Sequence, residues 1–147
     1  MDFFTSLDVS ASALTAERTR MNLISNNLAN ANATRTAEGG PYKRKDAVFA
    51  TQQSKQSFNE KLERAVKGAA PGQGVQVVEI VEDQRPPRMQ FDPAHPDADP
   101  QGYVAMPNVN VVEEMADMIA ATRAYEANVT AVQAAKSMAL KTLEISR

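Results

Sequence analysis

The fold of this chain is decided by residues 108–147, which read NVNVVEEMADMIAATRAYEANVTAVQAAKSMALKTLEISR. The stretch contains neither glycine nor proline, the two residues that weaken a helix interior most. Its apolar positions recur in alternating steps of four and three, which is the spacing of a coiled-coil seam. We therefore predict a long C-terminal coiled-coil helix over residues 108–147. The predicted seam comprises Val111, Met115, Met118, Thr122, Tyr125, Val129, Val132, Lys136, Ala139 and Leu143.

A start signal lies just ahead of this seam. Asn110 followed by Glu113 is typical of a helix N-terminus, because a short polar side chain can accept hydrogen bonds from the free backbone amides there. Three acidic residues near the start and two basic residues near the end also complement the helix dipole: Glu113, Glu114 and Asp117, and Lys141 and Arg147. The C-terminal helix is therefore expected to start at this asparagine.

The N-terminal residues 1–36 show the same properties. All glycine and proline in the chain lies between Gly39 and Pro107, so residues 1–36 are free of helix breakers. Their apolar residues recur at an interval of seven, which predicts a second coiled-coil helix. Its packing positions are Leu7, Leu14, Met21 and Leu28, with Ala11, Ile24 and Ala31 on the same side.

Residues 37–107 carry the turn-forming residues and are predicted to form a small β-rich lobe with loops. Strand-like runs lie around residues 42–51 and 75–81, and residues 88–91 are expected to pair with the second of them. Residues 52–74 are polar and charged with weak periodicity, so we expect a flexible excursion there. The fold class is therefore mainly α, with two long terminal helices pairing as a coiled coil and a small β-rich middle lobe.

Two helices at opposite ends of one chain can pair antiparallel, but such a pair is marginal by itself. Burying a Leu, Val or Met side chain contributes roughly 1.5–3 kcal/mol, while ordering each residue costs about 1.5 kcal/mol. Helices of neighbouring subunits would supply the missing burial. Asn22, Asn26 and Asn30 form a polar stripe that either fixes the helix register in an interior or lies exposed at a fraying helix end.

Composition excludes several classes of protein. The chain has 147 residues, a net charge of -2 and no cysteine, which excludes disulfides, thiolate catalysis and cysteine-bound metals. A slightly acidic chain lacks the basic surface that nucleic-acid binding requires. No apolar run approaches the roughly 20 residues of a membrane-spanning helix, and the N-terminus lacks the features of a cleaved signal. We expect neither nucleic-acid binding nor membrane insertion.

A few polar residues could carry chemistry, but a structural role is favoured for each. Asp97, Asp99 and Gly102 match the start of a calcium-binding loop, yet Asn108 stands where that loop needs a glutamate. A plain turn into the following strand is favoured there. His95 is the only histidine and lies between two prolines without a nucleophile motif, so a solvated loop residue is favoured over a catalytic base.

The basic run Lys43-Arg44-Lys45 is flanked by acidic residues, so a solvated strand edge is favoured over phosphate binding. We therefore predict no catalytic residue, no metal and no cofactor.

Three sequence motifs lie near the two ends of the chain. They are Ser25-Asn26-Asn27-Leu28-Ala29-Asn30-Ala31, Gly102-Tyr103-Val104-Ala105-Met106-Pro107-Asn108-Val109 and Arg123-Ala124-Tyr125-Glu126-Ala127-Asn128. Together they resemble the signatures of the bacterial flagellar rod and hook proteins, and their order and placement make the combination specific. The short length and the sequence from Asp97 to Val112 most resemble a subunit of the proximal rod.

The resemblance implies a structural, non-enzymatic subunit of the flagellar basal body. In that family the terminal helices pair and pack with those of neighbouring subunits into the inner tube of a rod, which acts as a drive shaft and transmits torque. The implied partners are other copies of this chain, other proximal and distal rod subunits, and the flagellar type III export apparatus. The implied location is the rod in the periplasmic space, reached without a cleaved signal peptide.

Two alternatives from other classes stay open. A coiled-coil adaptor or secreted effector could use the same heptads to bind a partner helix, and it would form a discrete complex rather than an open helical one. An enzyme that acts on peptidoglycan or uses a metal is suggested only by the carboxylates around His95.

Overall fold

The computed structural model describes residues 3–52 and 74–145. The expected flexible excursion over residues 52–74 lies, apart from its two end residues, outside the described part of the chain. The mainly helical class is confirmed, with short strands between two long helices. The elements are α1 (Phe3–Ala29), β1 (Lys45–Thr51), β2 (Val75–Glu82), β3 (Arg88–Phe91), β4 (Tyr103–Met106) and α2 (Val111–Ile145).

α2 begins where its start signal predicts. The side-chain oxygen of Asn110 accepts a hydrogen bond from the backbone amide of Val112 at 3.1 Å, and its carbonyl accepts one from the amide of Glu114. This N-cap satisfies an amide that the helix itself leaves free. The helix then runs for 35 residues, which at 1.5 Å per residue is about 52 Å.

α1 ends at Ala29, earlier than the limit at residue 36 that its sequence predicts. Asn30 Nδ2 donates to the carbonyl of Asn26 at 2.9 Å, and the Asn30 amide donates to the same oxygen. A tight turn follows, in which the amide of Ala33 donates to the carbonyl of Asn30 at 3.0 Å. The helix ends here because short polar side chains compete for its backbone groups.

α1 and α2 pack against each other in antiparallel directions. Asn27 near the end of α1 bonds to Glu114 near the start of α2, and Met21 meets Thr122 further along. α1 has only 27 residues, which is about 40 Å. In this register the C-terminal end of α2 extends beyond the described start of α1.

Two antiparallel ribbons connect the helices. β1 pairs with β2, with Lys45 opposite Glu82 at one end and a bulge beside Phe49 further along. β3 pairs with β4, with Phe91 opposite Tyr103. The two ribbons are separate sheets.

The expected pairing of β3 with β2 is wrong, because β3 pairs with β4 instead. A closed turn from Asp99 to Gly102 explains the difference. The Asp99 carboxylate accepts hydrogen bonds from the amides of Gln101 and Tyr103, both at 2.8 Å, and the Gly102 amide donates to the Asp99 carbonyl at 2.9 Å. This is the plain turn that the sequence predicts, and it directs β4 back alongside β3.

The hydrophobic core is thin, and half of its side chains are alanine. Five of the eight buried apolar side chains lie on the two helices, which pack against each other. Neither helix in the described residues combines the length and the apolarity needed to cross a membrane. The buried apolar side chains of the described residues are Ala16, Leu23, Ile24, Ala31, Val104, Val109, Ala121 and Ala135.

Candidate helix-packing interface

A buried polar cluster joins both helices to the start of β1. We define the polar cluster as Asn27 on α1, Tyr42 and Arg44 ahead of β1, and Glu114 on α2. Asn27 is 1% exposed, and its Nδ2 donates to the Glu114 carboxylate at 3.0 Å and to the Lys45 carbonyl at 2.9 Å. Its Oδ1 accepts from the Tyr42 hydroxyl and the Lys45 amide, both at 3.0 Å. These bonds use both amide hydrogens and both lone pairs of the side chain.

Glu114 is also 1% exposed, and Arg44 compensates its charge. Arg44 Nε donates to Glu114 Oε1 at 2.5 Å, and Nη1 donates to Asp46 at 3.0 Å. Burial acts to lower the pKa of Arg44, but its hydrogen bonds to Asp46 and Glu114 outweigh burial and raise that pKa. Burial raises the pKa of Tyr42, with Glu114 adding to the shift and Lys45 opposing it. Removing one partner from such a buried pair is costly, because the other charge is left unpaired.

The face of α2 that packs against α1 is offset from the predicted seam. Ala121 is fully buried where the prediction has Thr122, and Ala135 is buried where it has Lys136. The offset corresponds to a rotation of the helix by roughly 50°, half of the 100° between successive residues. The observed seam, spaced in steps of four and three and buried or partly buried throughout, is Glu114, Met118, Ala121, Tyr125, Asn128, Val132, Ala135 and Ala139, and Asp117, Ala124 and Val129 beside it are also partly buried.

Side-chain size and charge account for this offset. The small side chains of Ala121 and Ala135 let the two helices approach closely, and Lys136 keeps its charge in water. The same rotation carries Glu114 to the polar cluster. The observed seam is therefore the one that avoids burying an unpaired charge.

Large apolar side chains lie on the outside of α2, and one of them, Met115, belongs to the predicted seam. Val112 is 75% exposed, Met115 is 56% exposed and Ile119 is 63% exposed. Because they are three and four residues apart, they lie on one face of the helix. We call these three residues the outward row. A contiguous exposed apolar row indicates a surface that another molecule covers.

Some of the predicted packing residues are partly buried in the single chain and others are exposed. Their contacts with other subunits stay a prediction. On α1, all of them are partly buried: Leu7, Leu14, Met21 and Leu28. On α2, the partly buried ones are Met118, Tyr125, Val129 and Val132, and the exposed ones are Val111, Met115 and Leu143.

The N-terminal motif supplies Asn27 to the polar cluster. The predicted polar stripe of Asn22, Asn26 and Asn30 does not include Asn27. In the structure Asn22 and Asn26 are exposed, and the Asn30 side chain donates a hydrogen bond to its own helix. The other motif residues are Ala31, which is buried, Leu28 and Asn30, which are partly buried, and Ser25, Asn26 and Ala29, which are exposed.

The second motif builds the turn into β4 and the approach to α2. Gly102 has a φ of 83°, and a Cβ added to it would lie 2.9 Å from Cε2 of Phe91. The ring of Tyr103 packs edge to face on that of Phe91, with centroids 5.3 Å apart. Pro107 is buried, while Met106 and Asn108 are partly buried. These residues direct the chain from the ribbon onto the start of α2.

The candidate catalytic and metal-binding residues His95, Asp97 and Asp99 form hydrogen bonds that stabilise the loop before β4. His95 Nδ1 accepts a hydrogen bond from the amide of Asp97 at 3.1 Å, and the Asp97 carboxylate accepts one from the Thr34 hydroxyl at 2.9 Å. The Asp99 carboxylate is bonded within its own turn. These contacts hold the loop against the segment that follows α1.

The sequence carries no local signal that unites the polar cluster. Glu114 lies 70 residues from Arg44 and 87 residues from Asn27. The sequence patterns assign Glu114 to the helix dipole and Arg44 to a basic run, and only Asn27 lies in a recognised motif. Spacing rules act over a few residues, so folding alone brings these groups together.

Comparisons with known proteins match the N-terminal and C-terminal helical regions to flagellar basal-body rod proteins. The family model described as "Flagella basal body rod protein" matches residues 7–35, and the one described as "Flagellar basal body rod FlgEFG protein C-terminal" matches residues 101–145. The flagellar basal-body rod protein FlgC of Borreliella burgdorferi is 44% identical, over 99% of this chain and 98% of its own. FlgC of Bacillus subtilis is 45% identical over 100% of both chains, and FlgC of Escherichia coli O157:H7 is 41% identical over 95% of both. The chain belongs to the FlgC family.

Membership of the FlgC family confirms the resemblance to the flagellar rod and hook proteins. FlgC is a structural rod protein, so the prediction that this chain is not an enzyme is also confirmed. The two matched ranges contain Asn27, Glu114 and the outward row, whereas Tyr42 and Arg44 lie between them. The helix pair therefore lies in the parts of the chain that match the rod family models.

Proposed function

We propose that this FlgC-family chain is a structural subunit of the proximal rod of the flagellar basal body. It polymerises through α1 and α2 into the drive shaft that transmits torque. The observation that carries the proposal is the outward row, whose three side chains are each more than half exposed. A neighbouring subunit of the rod covers this row.

Energetics support assembly through the helices. The core within one chain is thin, and burying each side chain of the outward row against a neighbour would contribute roughly 1.5–3 kcal/mol. The buried row of α2 alternates in steps of four and three, which supports pairing of the coiled-coil kind. We therefore assign the predicted packing residues to contacts within and between subunits.

Torque transmission follows from the geometry of the assembly. A contact between different faces of neighbouring copies that does not close on itself generates a helical filament. Packed side chains resist compression and sliding because protein interiors are close-packed. Helices of about 40 and 52 Å give each subunit a long surface over which that resistance acts.

The finer organisation follows the family. α1 and α2 are the coiled-coil segments, and the chain between them is the middle segment. The partners are other copies of this chain, other proximal and distal rod subunits, and the type III export apparatus during secretion. The location is the rod in the periplasmic space, reached without a cleaved signal.

The outward row can be tested in a motile bacterium whose own FlgC is deleted. We expect Ile119→Asp to abolish motility and hook–basal-body assembly, because an unpaired aspartate cannot be buried in an apolar contact. Chain level and helix content should stay at those of the parent, since Ile119 is 63% exposed in the single chain. Swimming assays, electron microscopy of basal bodies and far-UV circular dichroism measure these outcomes.

Gln133→Asp is the matched control, because it places the same charge at an exposed polar position of the same helix. It should leave motility nearly normal. Normal rods with Ile119→Asp would contradict the proposal, and so would an equal loss with both variants. A discrete complex with one partner helix, in place of rod assembly, would favour the adaptor alternative.

A further inference from the structure

The sequence of α2 offers two seams that share half of their positions. The shared positions are Met118, Tyr125, Val132 and Ala139. One seam adds Met115, Thr122, Val129 and Lys136, and the other adds Glu114, Ala121, Asn128 and Ala135. Each seam contains polar side chains, so apolar burial by itself discriminates weakly between them.

The polar cluster is compatible with only one of these seams. In the structure Glu114 is 1% exposed and bonded to Asn27 and Arg44. Turning α2 by roughly 50° to bury Met115 would carry the Glu114 carboxylate away from both donors. Asn27 Nδ2 and Arg44 Nε would then each lose their hydrogen bond to the Glu114 carboxylate, and Asn27 would lose it in a buried position, where a lost hydrogen bond is costly.

A second ion pair lies along the same edge of the helix pair. Arg20 Nη2 on α1 lies 3.5 Å from Asp117 Oδ1 on α2, and Asp117 also lies 3.9 Å from Arg44. Asp117 is one turn beyond Glu114, so the same rotation would separate this pair too. Because both residues are partly exposed, this pair contributes less than the polar cluster.

We propose that the polar cluster selects the rotational register of α2 against α1, and thereby determines which apolar side chains of α2 face outward. Asn27, Arg44 and Glu114 act here as register-determining residues, as single buried polar residues do in helix seams generally. Hydrophobic burial holds the two helices together, while the polar cluster decides which faces meet. The selection operates within one chain, so it holds whether or not the chain assembles.

Thiol labelling can test the register, because the chain has no cysteine of its own. Met115→Cys reports the position that changes between the two seams, and Ala116→Cys reports a position that faces water in both. In the parent background both thiols should react rapidly with a maleimide. In the combined variant Asn27→Leu, Arg44→Met, Glu114→Leu, the thiol at position 115 should slow about tenfold relative to that at 116, since a buried group reacts only through local opening.

The matched control replaces an asparagine, a basic residue and a glutamate in the same way one residue earlier: Asn26→Leu, Lys43→Met, Glu113→Leu. All three positions are exposed, so the ratio of the two labelling rates should stay at the parent value. Helix content is followed by far-UV circular dichroism in every variant.

Two results would overturn the proposal. One is an unchanged labelling ratio in the cluster variant with its helices retained. The other is loss of helix in the cluster variant but not in the control, because the cluster would then hold the pair together rather than choose its register. Neither result depends on rod assembly, so failure here is distinguishable from failure of the motility test.

Discussion

At the residue scale, Asn27 has a chemistry that no other side chain of its size reproduces. It donates to Glu114 and to the Lys45 carbonyl while it accepts from Tyr42 and from the Lys45 amide. Aspartate of the same shape cannot donate, and it would face the Glu114 carboxylate. An amide is therefore required where these groups meet.

Asn27→Ala should lower the free energy of unfolding by about 3 kcal/mol, because it leaves buried hydrogen-bonding groups on three other residues without a partner. Urea unfolding followed by circular dichroism measures the change. Asn26→Ala is the control, since Asn26 is exposed, and it should stay within about 0.5 kcal/mol of the parent. Equal midpoints for the two variants would contradict the role of the polar cluster.

Tyr42 should make stability depend on alkaline pH. Burial, aided by Glu114 and opposed by Lys45, raises its pKa in the folded chain, so folding favours the neutral phenol. Its contribution is fully present below the unfolded pKa of about 10 and is lost as the pH rises through the higher folded pKa. Tyr42→Phe should therefore show a shallower loss of stability above about pH 10 than the parent. Parallel stability curves from urea unfolding across this range would contradict the expectation.

At the element scale, the turn into β4 depends on a glycine for two separate reasons. Gly102 has a positive φ, and its missing Cβ leaves room for the ring of Phe91. Gly39 also has a positive φ, of 89°, but an added Cβ there would meet nothing within 4 Å. Substitutions at Gly39 and Gly102 can therefore be compared to separate the cost of a left-handed backbone from the cost of a steric contact.

Gly39→Ala should cost about 1–2 kcal/mol from the left-handed backbone alone. Gly102→Ala should cost about 1–3 kcal/mol more, because the ring of Phe91 must shift to make room. Thermal unfolding of the two variants, measured in parallel, gives the difference. Equal losses would show that the contact with Phe91 carries no penalty.

The elements themselves were predictable to different degrees. The start of α2 was predicted because the cap at Asn110 is a local signal, and its bond to Val112 is present. The end of α1 was placed too late, since several short polar residues follow Ala29 and any of them could end a helix. The partner of β3 was predicted wrongly, because strand pairing is set by the turn at Asp99 as well as by strand propensity.

At the scale of the whole molecule, the chain buries few large side chains and exposes several on α2. We expect a stability in the lower part of the usual range of about 5–15 kcal/mol. Assembly binds only the folded chain, so the thermal midpoint should rise with protein concentration. Ile119→Asp should remove most of that rise, and circular dichroism melts over a concentration series measure it. The same rise in the variant would show that the outward row takes no part in assembly.

The sequence by itself determined the two long helices, the cap at Asn110 and the motifs of the rod family. Each of these depends on spacing and propensity over a few residues, and such rules operate within a local stretch of chain. Only the tertiary structure decided which stripe of α2 packs inward and which faces out. That choice depends on Asn27, Arg44 and Glu114, which are distant in the chain and meet only when α1 has packed against both α2 and β1. Heptad spacing identifies the helix that packs, but a buried charge and its partners decide its rotation, because leaving that charge unpaired costs more than exposing the Met115 side chain.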